Sequence, residues 1–265
     1  MLLSAKQAQA LTLCGKIQQG EIISAYAPGA IKVTLNHKTY PVTPDGKFIF
    51  AFSRDEKAHA DLTISYSDGR TKNYPLTISP ATWDIQHLKG VQQRKVTPSK
   101  ADTKAILTER ETLHKALAHQ TTATFWQNPF IIPVKGRISG KFGGQRIMNG
   151  HKKNPHQGTD IACPIDTPIK ASASGVVTMA SGPYFYSGNM VAIEHGHNLI
   201  TLYAHLNHIK VKIGEHVKQG QIIALSGKTG RVTGPHLHWG ASLNGIRFRP
   251  DSLLELHNKK LCFDL

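Results

Sequence analysis

The chain has 265 residues, 40% of them hydrophobic, which is enough for one large domain or two ordinary ones with a real core. No apolar run reaches 18 residues, so a transmembrane helix is excluded. Thirty-two Lys and Arg against 17 Asp and Glu give a formal charge of +15, a surface drawn to polyanions such as wall polymer, phospholipid head groups or nucleic acid. The basic residues are scattered, without a long Lys/Arg block or aromatic interleaving, which speaks against a specific nucleic-acid binder.

Residues 1–10 end in Ala8-Gln9-Ala10, the small-x-small form of a signal-peptidase site, although a basic n-region is missing. They read as the remnant of a signal peptide, and the protein as exported to the periplasm or cell envelope. An ordinary N-terminal segment is the alternative. Residues 11–88 read as an N-terminal domain, and from about residue 20 to 80 the period is two. Ile31, Val33 and Leu35 alternate with polar residues, as do Phe48, Phe50 and Phe52, then Leu62, Ile64 and Tyr66, then Tyr74, Leu76 and Ile78. Pro44-Asp-Gly46 and Ser67-Asp-Gly69 supply turns between them. This predicts a small antiparallel, immunoglobulin-like β-sandwich.

Residues 89–128 form a linker and a helix. Alternation stops at 89–99, Ser99 and Asp102 resemble a capping box, and Ala105, Ile106, Leu113 and Leu117 give a weak helical stripe. The helix reads as a spacer. From residue 129 to 265, glycines and prolines punctuate short apolar runs, including Gly175-Val-Val-Thr-Met, Met190-Val-Ala-Ile-Glu, Leu199-Ile-Thr-Leu-Tyr, Gln221-Ile-Ile-Ala-Leu and His236-Leu-His-Trp-Gly. This half is predicted to be all-β, making the protein mainly β. Ten of the fifteen histidines lie at or beyond His151, which places the chemistry here.

Cys14, Cys163 and Cys262 form no Cys-x-x-Cys pair, so a thiolate zinc site is not expected. Cys163 reads as a small buried residue, and a Cys14–Cys262 disulfide stays open.

On a strand, His236 and His238 share one face while Leu237 and Trp239 pack on the other. Two such imidazoles can both bind a metal, or one can bind while its neighbour works on the metal's water. His156 and Asp160 would stand about 13 Å apart on an extended strand, too far to share an ion. The segment must therefore curl, and Gly158 is the residue that permits it. His205 ends an apolar strand and faces the same cleft if that strand pairs near His236–Trp239. Each of these features alone is also compatible with ordinary hydrogen-bonded histidines. Together they exceed what one ion needs: a structural zinc is closed by four protein ligands, whereas a catalytic zinc keeps three and an open position.

The strings Pro155-His-Gln-Gly-Thr-Asp-Ile-Ala, Tyr203-Ala-His-Leu and Gly227-Lys-Thr-Gly-Arg-Val-Thr-Gly-Pro-His-Leu-His-Trp-Gly, in that order, resemble the lysostaphin/LytM-type zinc metallopeptidases, metallopeptidase family 23. The resemblance covers about residues 130–255, and the upstream β segment and linker look like the form common in Gram-negative bacteria. It implies an antiparallel β domain with a groove for peptidoglycan stem peptides, and one Zn2+ per chain held by His156, Asp160 and His238. It further implies that His205 and His236 are the catalytic histidines of a zinc endopeptidase cutting wall cross-links. All five residues are present, unlike in silent relatives that only bind wall or activate an amidase. Some relatives carry a tyrosine six residues before the first ligand, and here that position is Gly150. Tyr184 and Tyr186 are the candidate substitutes, with packing or sugar stacking as their alternative role, and Asn189 is a further candidate substrate contact. The N-terminal domain could cover the groove, in which case removing residues 1–120 should leave activity equal or higher.

Overall fold

A computed structural model describes residues 10–90 and 92–265. The signal-peptide reading of residues 1–10 falls, apart from Ala10, outside the described residues. The chain is mainly β, as its patterning predicts.

The N-terminal segment builds two four-stranded antiparallel sheets. One runs Lys38–Tyr40, Ala30–Leu35, His59–Tyr66, Thr71–Thr77 in spatial order. The other runs Cys262–Asp264, Thr12–Cys14, Ile22–Tyr26, Lys47–Ala51, so its first strand comes from the far end of the chain. A Cys14–Cys262 disulfide staples that strand to its neighbour. Residues 262–264, assigned by sequence to the C-terminal half, thus lie in the N-terminal sheet.

Phe48, Phe50 and Phe52 are buried as the alternation predicts, but so are Ile49 and Ala51 between them, because this strand is covered on both faces. Ile31 departs from its predicted inward position and is 64% exposed. A register shift between Ala30 and Lys32 turns Ala30 inward in its place.

The C-terminal half is organised around one antiparallel sheet. Its main path runs His216–Val217, Gly175–Tyr184, Gly188–Glu194, Leu199–Ile209, His236–Leu243, Gly158–Ala162, Arg137–Gly140. Leu237 and Trp239 are fully buried on the face away from the histidines, as expected of i and i+2 alternation. Cys163 is buried and free.

The two halves share one continuous hydrophobic core. Arg249 pairs with buried Glu21 at 2.7 Å, and Ser24 donates to the Leu256 carbonyl at 2.8 Å. The strand Ile85–Leu88, read from sequence as the end of the first domain, pairs in parallel with Gln145–Met148 beside the site. The helix Lys100–Leu117 carries the predicted capping box, with the Ser99 hydroxyl accepting from the Asp102 amide. It is more than a spacer. Its buried Glu109 accepts from the amides of Tyr186 and Ser187 at 3.0 Å each and from the Ser187 hydroxyl at 2.5 Å, fixing a loop that borders the cleft.

Candidate active site

Asp160 and His238 face each other directly across the antiparallel pair Gly158–Ala162 and His236–Leu243. His156 precedes the first of these strands, and its backbone is held by Gly143 and Gly144: the Gly143 amide donates to its carbonyl at 2.8 Å, and its own amide donates to the Gly144 carbonyl at 2.9 Å. The expected curl is therefore real. Its cause differs from the expected one, because Gly158 is not in the left-handed region. A Cβ there would lie 2.4 Å from the Trp239 carbonyl oxygen and 2.7 Å from the His238 ring. The glycine is needed for close approach. Gly158→Ala is expected to push the His238 ring aside, weakening metal binding about 10- to 100-fold; metal titration of the folded variant checks this, and unchanged affinity would contradict it.

Three donor atoms converge. His156 Nε2 lies 2.9 Å from His238 Nδ1 and 2.9 Å from Asp160 Oδ1, and His238 Nδ1 lies 2.8 Å from Asp160 Oδ1. All three residues are buried or half-buried. Tetrahedral zinc with ligands at about 2.0–2.2 Å separates its donors by roughly 3.3–3.6 Å. The triangle needs to open by roughly 0.4–0.8 Å, and two imidazoles with one carboxylate suit that ion. The orientation is enforced from behind. His156 Nδ1 donates to the Lys141 carbonyl at 3.0 Å, which leaves Nε2 with its lone pair toward the centre. Arg146 bonds Asp160 Oδ2, leaving Oδ1 as the free donor.

Two further histidines border the triangle. His236 Nε2 is 3.6 Å from Asp160 Oδ1, and its ring is 4.8 Å from that of His205. His236 Nδ1 donates to the Gly234 carbonyl at 2.8 Å, and His205 Nδ1 to the Thr229 carbonyl at 2.9 Å. A carbonyl only accepts, so each Nδ1 carries the proton and each Nε2 is a base. His205 does not end its strand: Leu199–Ile209 continues past it, and His205 sits at φ +63° beside a register shift. A non-glycine residue in the left-handed region costs of order 1–3 kcal/mol, and such strain gathers at functional sites.

Burial favours the uncharged imidazoles. It pushes His156 down to about 4, against the opposing pull of Asp160, and holds His205 well below the usual histidine range and His236 below it. Burial alone would raise the Asp160 carboxyl, but hydrogen bonds and charge from His156 and His238 outweigh it and hold it well below the usual range.

His156, His205 and His238 line a cleft of about 390 Å3. Tyr186 lines it, with Arg231 stacked over its ring at 4.2 Å. Tyr184 and Asn189 are engaged elsewhere. The Tyr184 hydroxyl bonds Ser181, and the Asn189 amide donates to the Leu206 and Asn207 carbonyls at 3.1 and 3.2 Å. Gly150 sits in open space at φ +83°. Arg146, Arg231 and Arg247 also border the cleft, and sequence reading did not single them out. Scattered arginines carry no periodicity that would mark them.

His156, Asp160 and His238 form a triangle that could hold a metal ion, bordered by two oriented imidazoles on an antiparallel β scaffold, an arrangement that fits a metallopeptidase-type centre. Residues 154–250 match the family model described as Peptidase family M23. A segment of 115 residues, 43% of the chain, is 49% identical to the peptidoglycan DD-endopeptidase ShyA of Vibrio cholerae and spans 26% of that protein. A segment of 142 residues, 53% of the chain, is 50% identical to ShyB of the same organism and spans 33% of it. The chain thus matches about a quarter to a third of the length of these curated relatives. A solved structure described as a putative peptidase M23 from Pseudomonas aeruginosa shares the fold over 92% of this chain and 97% of its own, with TM-score 0.65 and 24% identity.

Proposed function

We propose that this protein is a zinc-dependent endopeptidase that hydrolyses peptide cross-links of peptidoglycan, acting outside the cytoplasm. The observation that carries the reading is the meeting of His156 Nε2, Asp160 Oδ1 and His238 Nδ1 within 2.8–2.9 Å, with His205 and His236 beside them. The family, and the names of relatives that act on peptidoglycan, support the substrate. The Cys14–Cys262 disulfide supports an oxidising compartment.

A zinc ion held by the three donors supplies Lewis acidity toward a water and the scissile carbonyl. The chain's own residues do the rest. His205 or His236 accepts a proton at Nε2 as water attacks the carbonyl. The imidazolium so formed hydrogen-bonds the developing oxyanion or returns the proton to the leaving amine. The carbonyls of Thr229 and Gly234 keep both rings aimed while this happens. Tyr186 is the aromatic group we place against the substrate. We also propose that the segment before residue 120 narrows the groove: Leu113 lines the cleft, and Lys95 bonds the Phe185 carbonyl on its rim.

Incubation of the purified protein with wall sacculi, with and without a chelator, tests the reading. Mass analysis should show cross-linked fragments falling to monomers only without chelator, restored by zinc. Release unaffected by chelator, or no release at all, would refute it.

A further inference from the structure

The cleft is cationic. Arg146, Lys152, Lys153, Arg231 and Arg247 line it, and the carboxylates beside it are already engaged: Asp160 with His156, His238 and Arg146, and Glu109 with Tyr186 and Ser187. Five cations facing a peptide groove call for negative charge on the occupant.

The three arginines differ in what already holds them. Arg146 is bonded to Asp160 Oδ2 and to the Gln86 amide oxygen at 3.4 Å. Arg231 stacks on Tyr186 and donates to the Lys95 carbonyl at 3.4 Å. The Arg247 guanidinium has no hydrogen bond, ion pair or ring contact among the described residues. It is half-buried, and that burial pushes it down to about 10 with no opposing carboxylate. An unpaired guanidinium on the cleft wall has five forked donors to offer, a geometry that suits a carboxylate best.

Its position is tied to the reacting centre. Arg247 stands opposite Ser242 on the strand Ile246–Phe248, and its side chain reaches back along the sheet. A Cβ placed on Gly240 would lie 3.5 Å from Arg247 Nη1 and 3.5 Å from the Gln157 carbonyl oxygen. Gln157 follows His156 directly, and Gly240 lies two residues after His238 on the same strand. The guanidinium therefore sits beside the strand that carries His238 and shares the cleft wall with Gln157.

We propose that Arg247 is a specificity-determining residue that receives a free carboxylate of the substrate peptide close to the scissile bond. The proposal rests on the peptidase reading above for its substrate class. One carboxylate–guanidinium contact of this kind discriminates by about 10- to 100-fold.

The test compares a cross-linked muropeptide with its counterpart whose free carboxylates are amidated. Cleavage is followed as kcat/KM, and binding to the zinc-loaded protein by calorimetry. The wild-type chain should favour the carboxylate form by about 10- to 100-fold in both, with the difference in KM. Arg247→Gln should bring both ratios to within about threefold of one, and Arg247→Lys, which keeps the charge but loses the fork, should fall between. A wild-type ratio surviving in Arg247→Gln would overturn the proposal, as would equal binding of the two peptides by the wild-type chain. If Arg247→Gln fails to fold by thermal melting, the Arg247→Lys ratios decide in the same way. Binding that discriminates without cleavage of either peptide would uphold the Arg247 assignment and defeat the peptidase reading instead.

Discussion

His238→Ala should lose both the metal and the activity, while His236→Ala should keep a full equivalent of metal and lose turnover by about 10²- to 10⁴-fold. The two residues are neighbours on one strand face, so position alone does not separate them. Geometry does. His238 stands opposite Asp160 and places Nδ1 2.8 Å from its carboxylate, whereas His236 stands opposite Ala162 and holds Nε2 at 3.6 Å. His236 also has its proton fixed on the Gly234 carbonyl, leaving the opposite nitrogen free to accept another. Removing one of three ligands leaves Asp160 and His156 as a poor pair for zinc. Removing a proton carrier leaves the triangle intact. Metal content by mass spectrometry, with turnover on the same samples, reads both effects; equal metal loss in the two variants would overturn this division of labour.

The second large effect is expected at the other end of the molecule. Cys14 and Cys262 are separated by 248 positions, so their disulfide closes nearly the whole chain. Loop-closure entropy for such a span gives about 5.5 kcal/mol as an upper figure, and measured disulfides commonly contribute about 2–4 kcal/mol. The Cys14→Ser, Cys262→Ser double variant should therefore lose about 2–5 kcal/mol in denaturant unfolding. The strand Cys262–Asp264, held otherwise by pairing with Thr12–Cys14, should exchange its amides faster. A change below about 0.5 kcal/mol would mean that the bond is absent or that the reduced chain keeps its ends together.

The same connections alter what is expected on removing residues 1–120. Sequence reading suggested activity equal to or above the full chain. The structure shows that this cut would delete Glu109 from beneath Tyr186 and Ser187, the Ile85–Leu88 strand beside Gln145–Met148, and the partner of Cys262–Asp264. The truncated chain should unfold more easily and lose activity with its cleft wall.

These differences show where the sequence was legible. Period-two runs announced most strands, and His236-Leu-His-Trp announced which side chains face the site, because alternation is a local property. The bulge that exposes Ile31 and the positive φ at His205 were not legible, since both depend on how a neighbouring strand pairs. Nor were the return of Cys262–Asp264 to the first sheet and the role of Glu109, which join segments far apart in the chain. Family resemblance supplied the five central residues. It did not supply Arg146 or Arg247, whose meaning lies in what does or does not face them across the cleft.

Anomalous X-ray scattering at the zinc edge, on crystals of the zinc-loaded protein, tests the metal assignment most directly. One peak per chain is expected, about 2.0–2.2 Å from His156 Nε2, Asp160 Oδ1 and His238 Nδ1, with His205 and His236 outside bonding distance. A peak ligated by His205 or His236, or no peak within the triangle, would contradict it.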